Sequence, residues 1–265
     1  MPDKRRTIAD LLSLKGKGQL TMLRVETLQE AEAAERAGID MLSIPFEILG
    51  PAFREACPTV FAMPGKAPGH FISAEDYVRA GWTALTSGGD AMYCAASLDI
   101  IRRLRAEGIP IIGHVGLIPS KATWTGGFRA VGKTLESALL VWRQVKELEE
   151  AGAIGAEIEV VPHELAGAIS PRTALFLISM GAGAGCDAQY VFGCDVLGET
   201  RGHVPRHSKV YRNFAAEYDR LQQERIAAFK EYVADVRSGA FPEPKHIVDM
   251  PRAELDRFLE ELGRG

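Results

Sequence analysis

The chain has 265 residues, 46% hydrophobic and 25% charged, with a formal net charge of -4. That balance belongs to a globular protein long enough for one large α/β domain, and it excludes a disordered or collagen-like chain. Positive charges are scattered rather than run together, so neither nucleic acid nor a membrane surface is an expected partner.

Cys57, Cys94, Cys186 and Cys194 form no CxxC pair and lack zinc-ligand spacing. The opening MPDKRRTIADLL has no apolar run long enough for a signal peptide, and no stretch of about 20 apolar residues is present to span a bilayer. A cytoplasmic protein is the expectation.

In chain order, short apolar runs alternate with longer amphipathic ones, the pattern of repeated βα units. A strand is expected over 20–25, a helix over 28–37 and strands over 41–45 and 60–64, with only a poorly marked helix between those two strands. A helix over 74–87 follows, opened by Ser73 and Asp76 as a capping box. Next come a strand over 91–94, a helix over 98–107, a strand over 109–114, a helix over 135–151, a strand over 156–161, a helix over 164–169 and strands over 175–180 and 190–194. Gly38, Gly108 and Gly152 each stand just past a helix, the usual C′ position. A charged helix over 210–237, the turn Phe241-Pro242-Glu243-Pro244 and a helix over 252–262 close the chain.

Eight strands separated by helices make a (β/α)8 TIM barrel the expected fold, with extra C-terminal helices. One domain over 1–265 is expected, its helical extension starting at about 208. In such barrels the active site lies at the C-terminal ends of the strands. That rule selects Glu26, Glu47, Tyr93, His114, Glu159, Asp187 and Asp195, with the loop over 121–133.

Several segments then resemble one family. Gly113-His114-Val115-Gly116-Leu117-Ile118-Pro119 is similar to GHxGLTP, and Thr125-Gly126-Gly127-Phe128 with Val131-Gly132-Lys133 to the loop that follows it. Glu159-Val160-Val161-Pro162 with Glu164-Leu165-Ala166 resembles ExVPxELA. The segment from Gly181 to Gln189 resembles GIGAGxxxDGQ, Asp195-Val196-Leu197-Gly198 resembles DxLG, and Ser238-Gly239-Ala240-Phe241-Pro242 resembles SGxYP. Six motifs in order, from about Thr7 to His246, identify the chain as a member of the ketopantoate hydroxymethyltransferase family, within the isocitrate lyase and phosphoenolpyruvate mutase superfamily.

The resemblance implies a transferase of hydroxymethyl units that makes or breaks a C–C bond beside the carbonyl of a 2-oxo acid, through an enolate. It further implies methylenetetrahydrofolate as co-substrate, a divalent cation such as magnesium, and a homo-oligomer. Glu159 matches the expected base and His114 a residue that contacts substrate oxygens. Tyr93 stands where the family has lysine, and Tyr93, Arg24 and Lys121 are the expected substrate-binding residues.

The usual metal ligands are missing. Ser43-Ile44-Pro45-Phe46-Glu47-Ile48-Leu49-Gly50 stands for VGDSLG, Met63-Pro64-Gly65-Lys66-Ala67 for ADLPF, and Met92-Tyr93-Cys94-Ala95-Ala96-Ser97 for VKIEGG. Glu47 and Glu157 are the candidates for a relocated cation site, although Glu47 reads more readily as an exposed loop carboxylate, and Glu157 reads equally well as a structural partner of Arg24. Two readings stand beside the transferase: a metal-independent lyase, hydrolase or isomerase using Tyr93, His114 and Arg24, and a non-catalytic ligand-binding paralogue. Cys94 reads as a small buried residue, and His203 and His207 as parts of a subunit contact or a loop over the site.

Overall fold

The computed structural model describes residues 4–66 and 69–263; Ala67 of the third-strand motif and residues 1–3 of the opening segment lie outside them. The chain divides into two compact units, Met1–Arg212 and Asn213–Gly265.

The first unit is the expected barrel. Its strands are β1 (Leu20–Arg24), β2 (Met41–Pro45), β3 (Phe61–Gly65), β4 (Met92–Tyr93), β5 (Ile111–Gly116), β6 (Gly155–Glu159), β7 (Phe176–Met180) and β8 (Ala188–Phe192). They form one all-parallel sheet in the order β3-β2-β1-β8-β7-β6-β5-β4. The ring closes between β3 and the start of β4, where Asp90 N donates to Ala62 O at 2.8 Å and Ala62 N to the Asp90 carboxylate at 2.7 Å.

The helices of this unit are α1 (Ile8–Ser13), α2 (Leu28–Ala37), α3 (Pro51–Ala56), α4 (Ala74–Thr86), α5 (Leu98–Ala106), α6 (Leu135–Glu150), α7 (His163–Ile169) and α8 (Gly193–Leu197). The Ser73–Asp76 capping box is present, and Gly38, Gly108 and Gly152 have φ of 83°, 78° and 88°. The poorly marked connection from β2 to β3 holds a short 3-10 turn, Phe46–Ile48, and then α3, which Pro51 starts at its first turn. The strand expected over 190–194 is displaced two residues: β8 begins at Ala188, and its last two expected positions begin α8.

Inward-facing side chains fill the barrel with Met22, Met41, Phe61, Met63, Ile112, Phe176, Ile178 and Tyr190. Leu11 of α1 joins that cluster with none of its surface exposed, so α1 stoppers the barrel at the N-terminal end of the strands. Two further apolar clusters join strands to the surrounding helices, one around Ile101, Val145 and Ile158, the other around Phe53, Leu42 and Ala31.

The second unit holds α9 (Phe214–Ser238) and α10 (Arg252–Leu262), neither with a buried residue. Asn213 caps the start of α9, and Phe241 packs edgewise on Tyr232 with ring centres 5.6 Å apart. The helical extension expected from about 208 thus becomes helical at Phe214.

Candidate functional site

Alternation along a strand decides which side chains enter the barrel. Residues two apart share a face, so Glu157 and Glu159 of β6 point the same way. The parallel register sets His114 of β5 opposite Glu157, and Gly116 opposite Glu159. Gly116 has a φ of 84°, and a Cβ there would lie 2.5 Å from Glu159 O. Only glycine allows β5 to run so close beside the Glu159 backbone.

The result is a buried carboxylate–imidazole–carboxylate cluster. His114 Nδ1 lies 3.4 Å from Glu157 Oε2, and His114 Nε2 lies 3.1 Å from Glu159 Oε2. Nε2 is also 2.9 Å from Leu117 O. A carbonyl only accepts, so Nε2 carries a hydrogen. Nδ1 lies 2.8 Å from Tyr93 Oη, and its role follows its protonation: neutral, it accepts the tyrosine hydrogen; protonated, it donates to the tyrosine oxygen and turns the phenolic O–H away.

The electrostatics put a proton in this cluster. Burial pushes the Glu157 carboxyl up to about 7, with His114 opposing, Glu159 adding to the rise and Arg24 opposing. Burial alone would lower the His114 pKa, but the Glu159 contact and the charges of Glu157 and Glu159 reverse that, and it is raised. Burial raises the Tyr93 and Tyr190 hydroxyls as well, so both stay protonated near neutrality.

These groups line a cavity of about 360 Å³ at the C-terminal ends of the strands, together with Arg24, Glu26, Ser43, Gly65 and Lys66. Arg24 Nε and Nη2 hold the exposed carboxylate of Glu26 at 2.7 and 3.1 Å, and Nη1 reaches Ser43 Oγ at 3.3 Å. Lys66 pairs with Glu47. Directly after Glu159, Val160 has a φ of 47°, a left-handed conformation rare for a β-branched residue. Strain of that kind clusters at functional sites.

The structure therefore brings together five of the expected residues: Glu159, His114, Tyr93, Arg24 and Glu157. Lys121 stands elsewhere. It lines a separate cavity of about 190 Å³ with Cys94, Ser97 and Gln144, which touches the first only at His114. Glu47, on the 3-10 turn, has a largely exposed side chain and does not line the cavity of Glu157. Asp187 is at the other end of the barrel, because it precedes β8. Asp195 is buried in α8, accepting from Thr200 and Ser208. Burial raises the Cys94 thiol to about 11, which leaves it a poor nucleophile.

Sequence reasoning missed Lys66, Ser43 and Tyr190; the inward alternation of β2 and β8 was the signal for the last two. His207 also approaches the site: a Cβ on Gly181, just past β7, would lie 2.8 Å from its ring.

Magnesium demands near-octahedral oxygen ligation, and the donor set here does not fit it. Glu26 is held by Arg24, and Glu157 and Glu159 flank one imidazole. At the end of β3, Gly65 supplies no side-chain oxygen, and the space its Cβ would need lies 3.2 Å from Tyr93 Cβ. Among the described residues, no group of three or more His, Cys, Asp or Glu side chains is placed to hold a metal ion.

Residues 72–244 match the family described as ketopantoate hydroxymethyltransferase. A 3-methyl-2-oxobutanoate hydroxymethyltransferase of Kosmotoga olearia is 30% identical over 91% of this chain and 97% of its own. One of Cenarchaeum symbiosum is 36% identical over 68% of each. Among solved structures, a phosphoenolpyruvate phosphomutase of Streptomyces platensis superposes with a TM-score of 0.51 at 15% identity, covering 98% of this chain and 99% of its own. The last likeness bears on the fold alone.

Proposed function

The chain belongs to the ketopantoate hydroxymethyltransferase family, and we propose that it makes or breaks a C–C bond beside the carbonyl of a 2-oxo acid, with Glu159 as the base. The observation that carries this reading is the Glu159–His114–Tyr93 array, buried and aimed into one cavity. The relatives' name, 3-methyl-2-oxobutanoate hydroxymethyltransferase, points to 3-methyl-2-oxobutanoate as the acid.

In that reaction the Glu159 carboxylate takes the proton from C3, and the C–H electrons form the C2–C3 double bond of an enolate while charge moves to the C2 oxygen. That oxyanion needs a donor placed in advance. With His114 protonated at both nitrogens, the Tyr93 O–H turns into the cavity and supplies one. The enolate carbon then attacks the one-carbon unit of methylenetetrahydrofolate, opened to its iminium form, and the C=N electrons move to nitrogen; water then displaces the amine from that carbon, leaving a hydroxymethyl group and tetrahydrofolate.

The same reading makes the protein a cytoplasmic homo-oligomer. Among the described residues no helix is long and apolar enough to cross a membrane. All four cysteines are free, and α9 exposes Phe229 and Tyr232, which supports a subunit contact. Light scattering checks the oligomer. The reaction is checked by proton NMR of 3-methyl-2-oxobutanoate in D2O with the protein: loss of the C3 proton signal is expected, and a signal that decays no faster than without protein contradicts the reading.

A further inference from the structure

The cavity already holds positive charge where the family's chemistry calls for a cation. Arg24 is a β1 residue with a mostly buried side chain, and its charge reaches Glu157 and Tyr190 on the cavity floor. A guanidinium has five N–H donors; Glu26 and Ser43 take three, one each at Nε, Nη2 and Nη1. Lys66 stands at the same cavity with its side chain equally buried. Both cations are neutralised by carboxylates that are themselves more than half exposed, Glu26 and Glu47. Exposed ion pairs are weak, so an entering anion competes with Glu26 and Glu47 at little cost.

We infer that this site holds its 2-oxo acid by a fixed guanidinium, Arg24, with Tyr93 at the carbonyl oxygen, in place of a chelated divalent cation. A planar guanidinium pairs with a carboxylate through two parallel hydrogen bonds and fixes its orientation. The acid's carboxylate takes the Arg24 edge that Glu26 occupies, with Lys66 adding charge at the rim. Its carbonyl then faces Tyr93, and its C3 faces Glu159. Gly65 fits the same arrangement: the absent side chain leaves the Tyr93 ring its place beside β3. This inference rests on the 2-oxo acid reading above.

Calorimetric titration of the full chain with 3-methyl-2-oxobutanoate, and separately with oxalate as a planar dianion, tests it. Affinities for both are expected to agree within about twofold between buffer containing a chelator and buffer containing magnesium, and Arg24→Met is expected to weaken both by roughly tenfold or more. Glu26 is exposed, so Glu26→Ala leaves folding untouched; freeing the guanidinium tightens binding about threefold in chelator. Binding that appears only with magnesium, an unchanged affinity in both variants, or no binding in either buffer overturns the inference. Magnesium-dependent binding accompanied by C3 exchange would sink the fixed-cation site while sparing the role of Glu159. Chelator-resistant, Arg24-dependent binding without C3 exchange would do the reverse.

Discussion

At the N-terminal end of the barrel, Asp40, Asp90 and Asp187 stand just ahead of β2, β4 and β8, and each meets both a cation and a backbone N–H. Asp40 takes Arg6 and Thr21 N, Asp90 takes Arg5, Arg54 and Ala62 N, and Asp187 takes Lys15, Gly16 N and Leu177 N. At the C-terminal end, Glu157 and Glu159 share a single imidazole, and the strand carrying them runs into a left-handed valine. Saturated carboxylates hold strands in register; carboxylates left in conflict hold a movable proton. The difference matches the division of labour known for this architecture, stability at one face and chemistry at the other.

Substitutions at the two ends should therefore fail in opposite ways. Glu159→Gln is expected to slow C3 exchange by about 10³-fold, the scale of a lost general base, with a melting temperature close to that of the parent. Asp187→Ala is expected to lose about 3 to 5 kcal/mol, as when one partner of a buried pair is removed, read by urea unfolding, while exchange per folded molecule stays unchanged. Equal losses of stability in the two variants would erase the contrast.

Glu157→Gln sharpens the comparison through pH. The Glu157 carboxyl titrates near 4.5 when unfolded and near 7 when folded. Its contribution to stability is thus complete below 4.5 and is lost as pH rises through 7; the raised His114 has the same sign. Removing the carboxyl should be nearly neutral at pH 4.5 and stabilising by about 1 to 3 kcal/mol at pH 8, a gap that thermal melts across that range would show. C3 exchange in the parent is expected to fall on the alkaline side as His114 loses its second proton and Tyr93 turns back toward Nδ1. A profile that rises steadily with pH would contradict that proton's role.

The smallest effect concerns Val160. Glycine accepts its φ of 47° without strain, so Val160→Gly should change stability by no more than about 1 kcal/mol. Any slowing of exchange would then report a loosened Glu159 carboxylate.

The barrel was legible because hydrophobic period, capping residues and C′ glycines all pointed to the same elements. Ser73 with Asp76 and Gly38 after α2 stand where the sequence places them. Glu159, His114 and Glu157 were legible too, since strand ends and alternation are local properties. Asp187 was misplaced because the short connection over 181–187 runs from the C-terminal end of β7 to the N-terminal end of β8 without a helix, so a residue read as following β7 instead stands just ahead of β8. Lys121 and Glu47 sit on irregular 3-10 turns, Pro119–Thr125 and Phe46–Ile48, where no period reports direction. Lys66 escaped for a related reason: it lies one residue beyond β3, outside any alternation.

The most direct test of the account is a crystal structure of the Glu159→Gln protein soaked with 3-methyl-2-oxobutanoate. The account places C3 about 3 to 3.5 Å from the Gln side chain, the distance of a near-attack geometry, with the C2 oxygen against the Tyr93 hydroxyl. An acid lodged instead in the neighbouring cavity beside Lys121, or with its C3 turned away from residue 159, would contradict it.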